Sequence, residues 1–163
     1  MKSTTLWLIR ASLMAAVMLP VESHALKCDE IGITDEQIDE ATDTNHIVEG
    51  HCSFTQAPMD ACEATQKSIF DSRYCLDDGD ALKPLIKSLV RSAACEAYEG
   101  NNGQYDLVGV PDDPFIVEHG LGYASIINST DCVLTNRMKV FYNPSDPHQT
   151  GVYFTNAFPF KPK

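Results

Sequence analysis

The stretch that decides the fold is residues 52–95, CSFTQAPMDACEATQKSIFDSRYCLDDGDALKPLIKSLVRSAAC. It holds four of the six cysteines of the chain, at positions 52, 62, 75 and 95. Apolar residues recur in it at helical spacing in two separate places. A short polar segment, residues 72–79, separates the two stripes. This arrangement predicts two helices packed side by side as an antiparallel hairpin.

The first predicted helix begins at Pro58, which suits a first helical turn because that position needs no N–H donor. Its stripe consists of Met59, Cys62, Gln66, Ile69, Phe70 and Arg73. The second stripe consists of Leu82, Leu85, Ile86, Leu89, Val90, Ala93 and Ala97, with Lys83, Lys87 and Arg91 opposite. We expect Asp78 or Asp80 to cap this helix and Gly100 to end it. Because Cys95 lies outside the second stripe, we expect its disulfide to tie a neighbouring segment across the outer face.

Residues 1–25 have the features of a cleaved secretory signal. Lys2 and Arg10 are the only charges before an apolar run at residues 11–21, and residues 23–25 (SHA) suit a signal peptidase. The run is too short to span a membrane. We therefore expect an exported protein, periplasmic or secreted, with no membrane insertion.

The remaining residues, 26–163, are predicted to form one domain that is cross-linked by disulfides. An even number of cysteines behind an export signal favours three bridges. The predicted disulfide cysteines are Cys28, Cys52, Cys62, Cys75, Cys95 and Cys132. His46, His51 and Cys52 have no spacing typical of a zinc site, so no metal and no cofactor is predicted.

After Gly100 the hydrophobic pattern changes towards a period of two, which indicates strands. The predicted strand segments are residues 105–110, 115–117, 123–127, 132–134, 138–142 and 152–155. Asn101-Asn102-Gly103 is predicted as a turn, and residues 143–151 as a loop between the last two strands. Helices followed by a small antiparallel sheet predict an α+β fold.

The formal net charge is −11, and the acids are concentrated near the start of the domain. From Cys28 to Gln66 there are ten Asp and Glu residues and no Lys or Arg. Thr34 and Gln37 form a capping box, which predicts a short helix over residues 35–42. Acids four residues apart on this helix repel each other. Residues 44–55 are predicted to form a loop.

Two explanations of this acidic helix remain open. Either its side chains only keep the protein soluble, or they form a docking face for a basic partner. The candidate partner-binding residues are Asp35, Glu36, Asp39, Glu40, Tyr153 and Phe158. The two aromatic residues belong to an aromatic C-terminal segment that either covers the sheet or anchors a partner. Nucleic acid and anionic membranes are poor partners for so acidic a chain.

The sequence favours binding over catalysis. A serine hydrolase would need Ser125, His119 and Asp112 to converge, and no G-x-S-x-G motif is present. We therefore predict an inhibitor or immunity-type protein that blocks a basic partner, such as a lysozyme-like enzyme or a secreted toxin. The alternatives are a small secreted hydrolase that uses His119 with nearby carboxylates, and a structural component of the cell envelope. The oligomeric state is not predicted.

Overall fold

A computed structural model describes residues 25–100, 103–144 and 152–162. The predicted signal peptide, except for Ala25, lies outside the described residues, as do Asn101, Asn102 and most of the loop predicted at residues 143–151. The fold is mixed α+β with antiparallel sheets, so the predicted fold class is confirmed.

The described residues form five α-helices and eight strands. The helices are α1 (Asp35–Glu40), α2 (Thr44–His51), α3 (Pro58–Thr65), α4 (Leu82–Arg91) and α5 (Pro114–His119). The strands are β1 (Leu26–Lys27), β2 (Ile69–Phe70), β3 (Glu96–Glu99), β4 (Tyr105–Gly109), β5 (Gly122–Ser125), β6 (Cys132–Thr135), β7 (Met138–Tyr142) and β8 (Phe154–Pro159). Three short 3-10 helices cover Cys28–Ile31, Ser72–Cys75 and Asp77–Gly79.

The larger sheet has five strands in the order β1-β3-β4-β7-β8, all antiparallel. Leu107 lies opposite Val140, which in turn lies opposite Ala157, and all three are fully buried. Because side chains alternate between the faces of a strand, these residues define the core face. The neighbouring residues Lys139, on β7, and Phe158, opposite it on β8, therefore point to the other face, which we call the open face.

The main core lies between the core face of this sheet and helices α1, α2 and α4. Helix α4 contributes five buried residues: Leu82, Leu85, Ile86, Leu89 and Val90. Ile38 of α1 and both Ile47 and Val48 of α2 belong to the same cluster. The predicted apolar stripe of α4 is thus confirmed over the length of the helix.

The smaller sheet has the order β2-β5-β6, and helix α3 packs against it. Its core is a separate cluster of four buried residues, Ala61, Cys62, Ile69 and Cys132. Gly122 at the start of β5 has φ +152°, and a Cβ there would collide with the backbone of Ile69 and Phe70. The close pairing of β2 with β5 therefore requires glycine at this position.

All six cysteines form disulfides, as predicted: Cys28–Cys95, Cys52–Cys75 and Cys62–Cys132. The first bridge joins the turn after β1 to the segment before β3, and the third fixes α3 to the smaller sheet. Three disulfides are typical of proteins that fold in an oxidising compartment. No helix within the described residues has the length and apolar character needed to cross a lipid bilayer.

The predicted helical hairpin is wrong in its geometry. Helix α3 ends at Thr65 because Gln66 adopts a left-handed conformation, φ +57°. Ile69 and Phe70 then form strand β2, so their match to the helical stripe is coincidental. Helix α3 packs on the smaller sheet, whereas α4 packs on the main core. The intervening strand carries the chain from one cluster to the other.

The predicted ends of the second helix are also corrected. Helix α4 begins after Ala81 without a side-chain cap, because Asp78 lies in a tight left-handed turn, φ +54°. It ends at Arg91, and Ala97 is buried on β3 instead. Cys95 is fully buried, so its bridge to Cys28 lies in the main core and not across an outer face.

Two other predicted segments have a different secondary structure. Residues 44–51 form helix α2 instead of a loop, because Asp43 caps it and the buried pair Ile47 and Val48 holds it to the core. Residues 115–117 belong to helix α5 instead of a strand, since Asp113 accepts a hydrogen bond from the Phe115 N–H at 2.9 Å. An Asp-Pro pair is a typical helix start. The last strand, β8, begins two residues later than predicted and runs to Pro159.

Candidate functional site

Helix α1 carries four of the six candidate binding residues and is fixed at its start by the predicted capping box. The Gln37 N–H donates to Thr34 Oγ1 at 3.2 Å, and the Thr34 N–H donates to Gln37 Oε1 at 2.9 Å. Ile38, on the inner side, is fully buried. Asp35, Glu36, Asp39 and Glu40 are all exposed. We call these four residues the acidic helix surface.

The basic side of α4 faces the acidic helix surface. Lys87 Nζ lies 2.6 Å from Asp39 Oδ2, and Arg91 Nη2 lies 3.1 Å from Asp35 Oδ1. Lys83 donates a further hydrogen bond to the backbone carbonyl of Asp39. These contacts relieve the repulsion between Asp35 and Asp39 that the sequence predicts. Both ion pairs are partly exposed to solvent, and each contributes about 0–1 kcal/mol.

Glu36 and Glu40 have a different environment from their two neighbours. Neither forms an ion pair within the described part of the chain. They lie one helical turn apart on a helix whose other acids are neutralised. The acidic helix surface therefore divides into two residues that attach it to α4 and two that present unpaired charge to solvent.

Tyr153 lies at the end of this surface. Its backbone N–H donates to the carbonyl of Ala41, the residue after α1, at 2.8 Å. The half-buried ring stacks on Tyr142 with ring centroids 6.3 Å apart. Burial raises the pKa of Tyr142, which a hydrogen bond from Gln37 of α1 opposes. Tyr153 is thus held rigidly beside the acidic helix.

Phe158, the sixth candidate, lies elsewhere. It is on the open face of the larger sheet, where it contacts Phe141 at 5.8 Å and stacks on His51 at 5.2 Å between ring centroids. Tyr142, the partner of Tyr153, is on the core face. The structure therefore places the backbone of Tyr153 beside the residue that follows α1 and does not bring Phe158 to the same surface.

The surroundings of Phe158 form a second candidate site that the sequence did not indicate. A cavity of about 570 Å³ opens between the open face, the end of β5 and the C-terminal segment. Its polar lining residues include Lys139, Lys161 and Ser125. The available signal was the alternation on β7 and β8, which puts Lys139 and Phe158 on one face. Without the register between these strands, this alternation does not reveal a cavity.

The residues of the hydrolase alternative do not converge. His119 is exposed and pairs with its neighbour Glu118, with Nε2 3.5 Å from Oε2, and its ring packs on Phe115. Ser125 is in strand β5, where its N–H donates to Ser68 Oγ at 3.2 Å. No hydrogen bond joins Ser125, His119 and Asp112 in the part of the chain that the structure describes. The geometry therefore gives no support to this alternative.

The histidines near Cys52 have other contacts. Cys52 is bonded to Cys75, so its sulfur is not a metal ligand. His51 Nδ1 donates to the backbone carbonyl of Ser68 at 2.8 Å, and burial lowers the pKa of the imidazole. No group of three or more His, Cys, Asp or Glu side chains suited to a metal occurs among residues 25–100, 103–144 and 152–162.

Comparison with known proteins found no matching family model, no similar curated protein and no similar solved structure.

Proposed function

We propose that the chain is an exported binding protein that blocks a basic protein partner through the acidic helix surface. The observation that carries the proposal is that Glu36 and Glu40 form no ion pair with any described residue, on a helix whose other two acids are fixed to α4. Two carboxylates one turn apart attract a basic surface and guide its approach.

Rigidity supports the same proposal. Helix α1 has six residues, too few to be stable alone. It is held by the capping box, by Ile38 in the core and by the ion pairs with α4. A surface that is already ordered loses little conformational entropy when a partner binds. Tyr153 adds a half-buried aromatic ring at the end of the helix, and rigid aromatic residues often anchor protein interfaces.

The class of partner follows from the charge. An inhibitor or immunity-type protein must reach its target quickly, and a basic enzyme or toxin would be attracted over several ångströms by the acidic region. Export, predicted from residues 1–25, and the three disulfides are consistent with a partner in the periplasm or outside the cell. A lysozyme-like enzyme or a secreted toxin fits this description.

The test is capture from an extract of exported proteins with the immobilised mature chain. Parallel captures use the variants Glu36→Lys/Glu40→Lys and Glu118→Lys, the latter as the same kind of charge reversal at an exposed acid outside α1. We expect a basic protein that the wild type and the Glu118 variant retain and the Glu36/Glu40 variant loses. A partner retained equally by all three chains would refute the assignment of this surface.

A further inference from the structure

We propose that the cavity on the open face binds a small amphipathic anion, with an alkyl or aryl body and a single anionic headgroup. This site is separate from the acidic helix surface and does not depend on the proposed partner. The walls of the cavity come from four parts of the fold. They are Ser68 just before β2, the end of β5 with residues 126 and 127, the open-face residues of β7 and β8, and the segment after β8.

The interior favours an apolar body. Apolar lining side chains predominate: Ile126, Ile127, Phe158, Phe160 and Pro162. The volume of about 570 Å³ falls within the range of known small-molecule pockets. Ile127 lines the cavity and is 69% exposed. A ligand that covered it would remove this apolar surface from water.

The charge at the mouth selects the headgroup. Lys139 Nζ lies 2.6 Å from Asp106 Oδ2, so its charge is already balanced. Lys161 also lines the cavity, and no ion pair of its ammonium group occurs within the described residues. Residues 132–144 and 152–162 contain three basic residues and no acidic one. Among the described residues that line the cavity, the charges therefore leave a single net positive charge, in a protein with a net charge of −11.

Hydrogen-bond donors are present beside this charge. Ser68 Oγ accepts from the Ser125 N–H, which leaves its own hydroxyl proton free to donate. The Ser125 hydroxyl has no hydrogen-bond partner within residues 25–100, 103–144 and 152–162, and both serines line the cavity. An anionic oxygen is the acceptor that ammonium and hydroxyl donors bind best. The combination of apolar walls, an unpaired lysine and two hydroxyl donors matches a monocarboxylate or sulfonate with an apolar chain.

A second cavity adjoins the first one. It has a volume of about 400 Å³ and shares Lys161 and Pro162 with it. Its walls include Val117 and Leu134, which are 77% and 57% exposed. Because Lys161 and Pro162 line both cavities, we expect a longer apolar chain to extend from the first cavity towards the second past Lys161.

The test is calorimetric titration of the mature chain with octanoate, with decanoate and with octyltrimethylammonium as the cationic control. We expect one saturable site for the carboxylates, tightened about fourfold by each added methylene group until the cavity is full. Lys161→Met should weaken decanoate binding about fivefold, the effect of one partly exposed ion pair. Ile127→Asp, which places an anion on an exposed wall, should abolish it.

The matched control is Lys67→Met, which removes an exposed lysine outside the cavity lining and should leave the affinity unchanged. Lys161→Arg should retain most of the affinity. Binding of the cation as tight as that of the carboxylates, equal losses in the Lys67 and Lys161 variants, or no carboxylate binding at millimolar concentration would each overturn the proposal. Melting temperatures of the variants confirm that the fold is intact in each comparison.

Discussion

Residues 28–66 and residues 132–162 differ in charge and in how their charges are used. The first region is acidic and mainly helical, and the second is basic in its described residues and forms strands. In the acidic region Asp35 and Asp39 are paired with α4, whereas Glu36 and Glu40 are not. In the basic region Lys139 is paired with Asp106, whereas Lys161 is not. Each region thus has charges that attach elements to one another and charges that are available for binding.

Acidic residues that are clustered in the sequence can still be neutralised on the surface by basic residues from a distant segment. The acids of α1 appear without any base near them in sequence, yet three bases of α4 lie against them. The apolar side of α4 packs in the core, and this orientation turns its basic side towards α1. Opposite charges from distant segments of the sequence therefore meet. Only the charges that remain after this pairing can serve recognition.

The largest expected effect concerns α4, the element that supports the acidic region. Leu89 is fully buried at the centre of the main core, so Leu89→Ala should lower the free energy of unfolding by about 2–5 kcal/mol. Lys87→Ala, on the side facing α1, removes one partly exposed ion pair and should cost no more than about 1 kcal/mol. Denaturant titration of both variants provides the measurement. Equal losses would contradict the division of α4 into a buried and a pairing side.

A smaller difference in stability is expected between variants of Asp35 and Asp39, which pair with α4, and variants of Glu36 and Glu40, which do not. Asp35→Asn/Asp39→Asn breaks two ion pairs and should destabilise the fold by about 0.5–2 kcal/mol. Glu36→Gln/Glu40→Gln removes a repulsion together with the favourable interaction of Glu36 with the N-terminus of α1, so stability should change by no more than about 0.5 kcal/mol. Thermal and denaturant unfolding at low ionic strength would detect the difference. A loss of stability in the glutamate variant as large as that in the aspartate variant would mean that these side chains have structural partners.

The smallest effect concerns His51, where the two regions meet. It belongs to α2 of the acidic region and stacks on Phe158 of β8. Burial lowers its pKa below the usual value of about 6.5, so the folded state binds a proton less readily than the unfolded chain. The contribution of His51 to stability is therefore complete above about pH 6.5. It is lost as the pH falls through this value towards the lowered pKa of the folded state.

Replacement of His51 by Gln should accordingly flatten the loss of stability between about pH 7 and about pH 5. The control is His46→Gln, on the exposed side of the same helix. Unfolding free energies measured at several pH values give the slope for each protein. The same slope in the wild type and in the His51 variant would show that this histidine is not buried in its neutral form.

Local features of the fold could be predicted from the sequence, and contacts between distant segments could not. The capping box at Thr34 and Gln37 and the stripe of α4 depend on residues three or four positions apart, and the structure contains both. The predicted secondary structure was wrong where pairing with a distant strand determines the conformation of a short segment. Ile69 and Phe70 fit a helical stripe, but pairing with β5 makes them a strand.

In the candidate site, too, contacts between distant segments could not be predicted from the sequence. The sequence identified the acids of α1, but the separation of Glu36 and Glu40 from Asp35 and Asp39 depends on α4, about 50 residues later. Tyr153 and Phe158 looked like one aromatic group because they are close in sequence. Tyr153 precedes β8 and stacks on Tyr142 of the core face, whereas Phe158 lies on the open face opposite Lys139. The cavity at Lys161 requires two sheets and a terminal segment to come together, which no local pattern encodes.

The most direct test of the central claim is the association rate of the captured partner with three proteins at low and high salt. These are the wild type, Glu36→Gln/Glu40→Gln and Asp35→Asn/Asp39→Asn. For the wild type we expect the rate constant to fall roughly tenfold between low and high salt. The glutamate variant should associate more slowly at low salt and show a flatter salt dependence, with its stability preserved. A glutamate variant whose association rate and salt dependence equal those of the wild type would contradict the claim that Glu36 and Glu40 guide a basic partner.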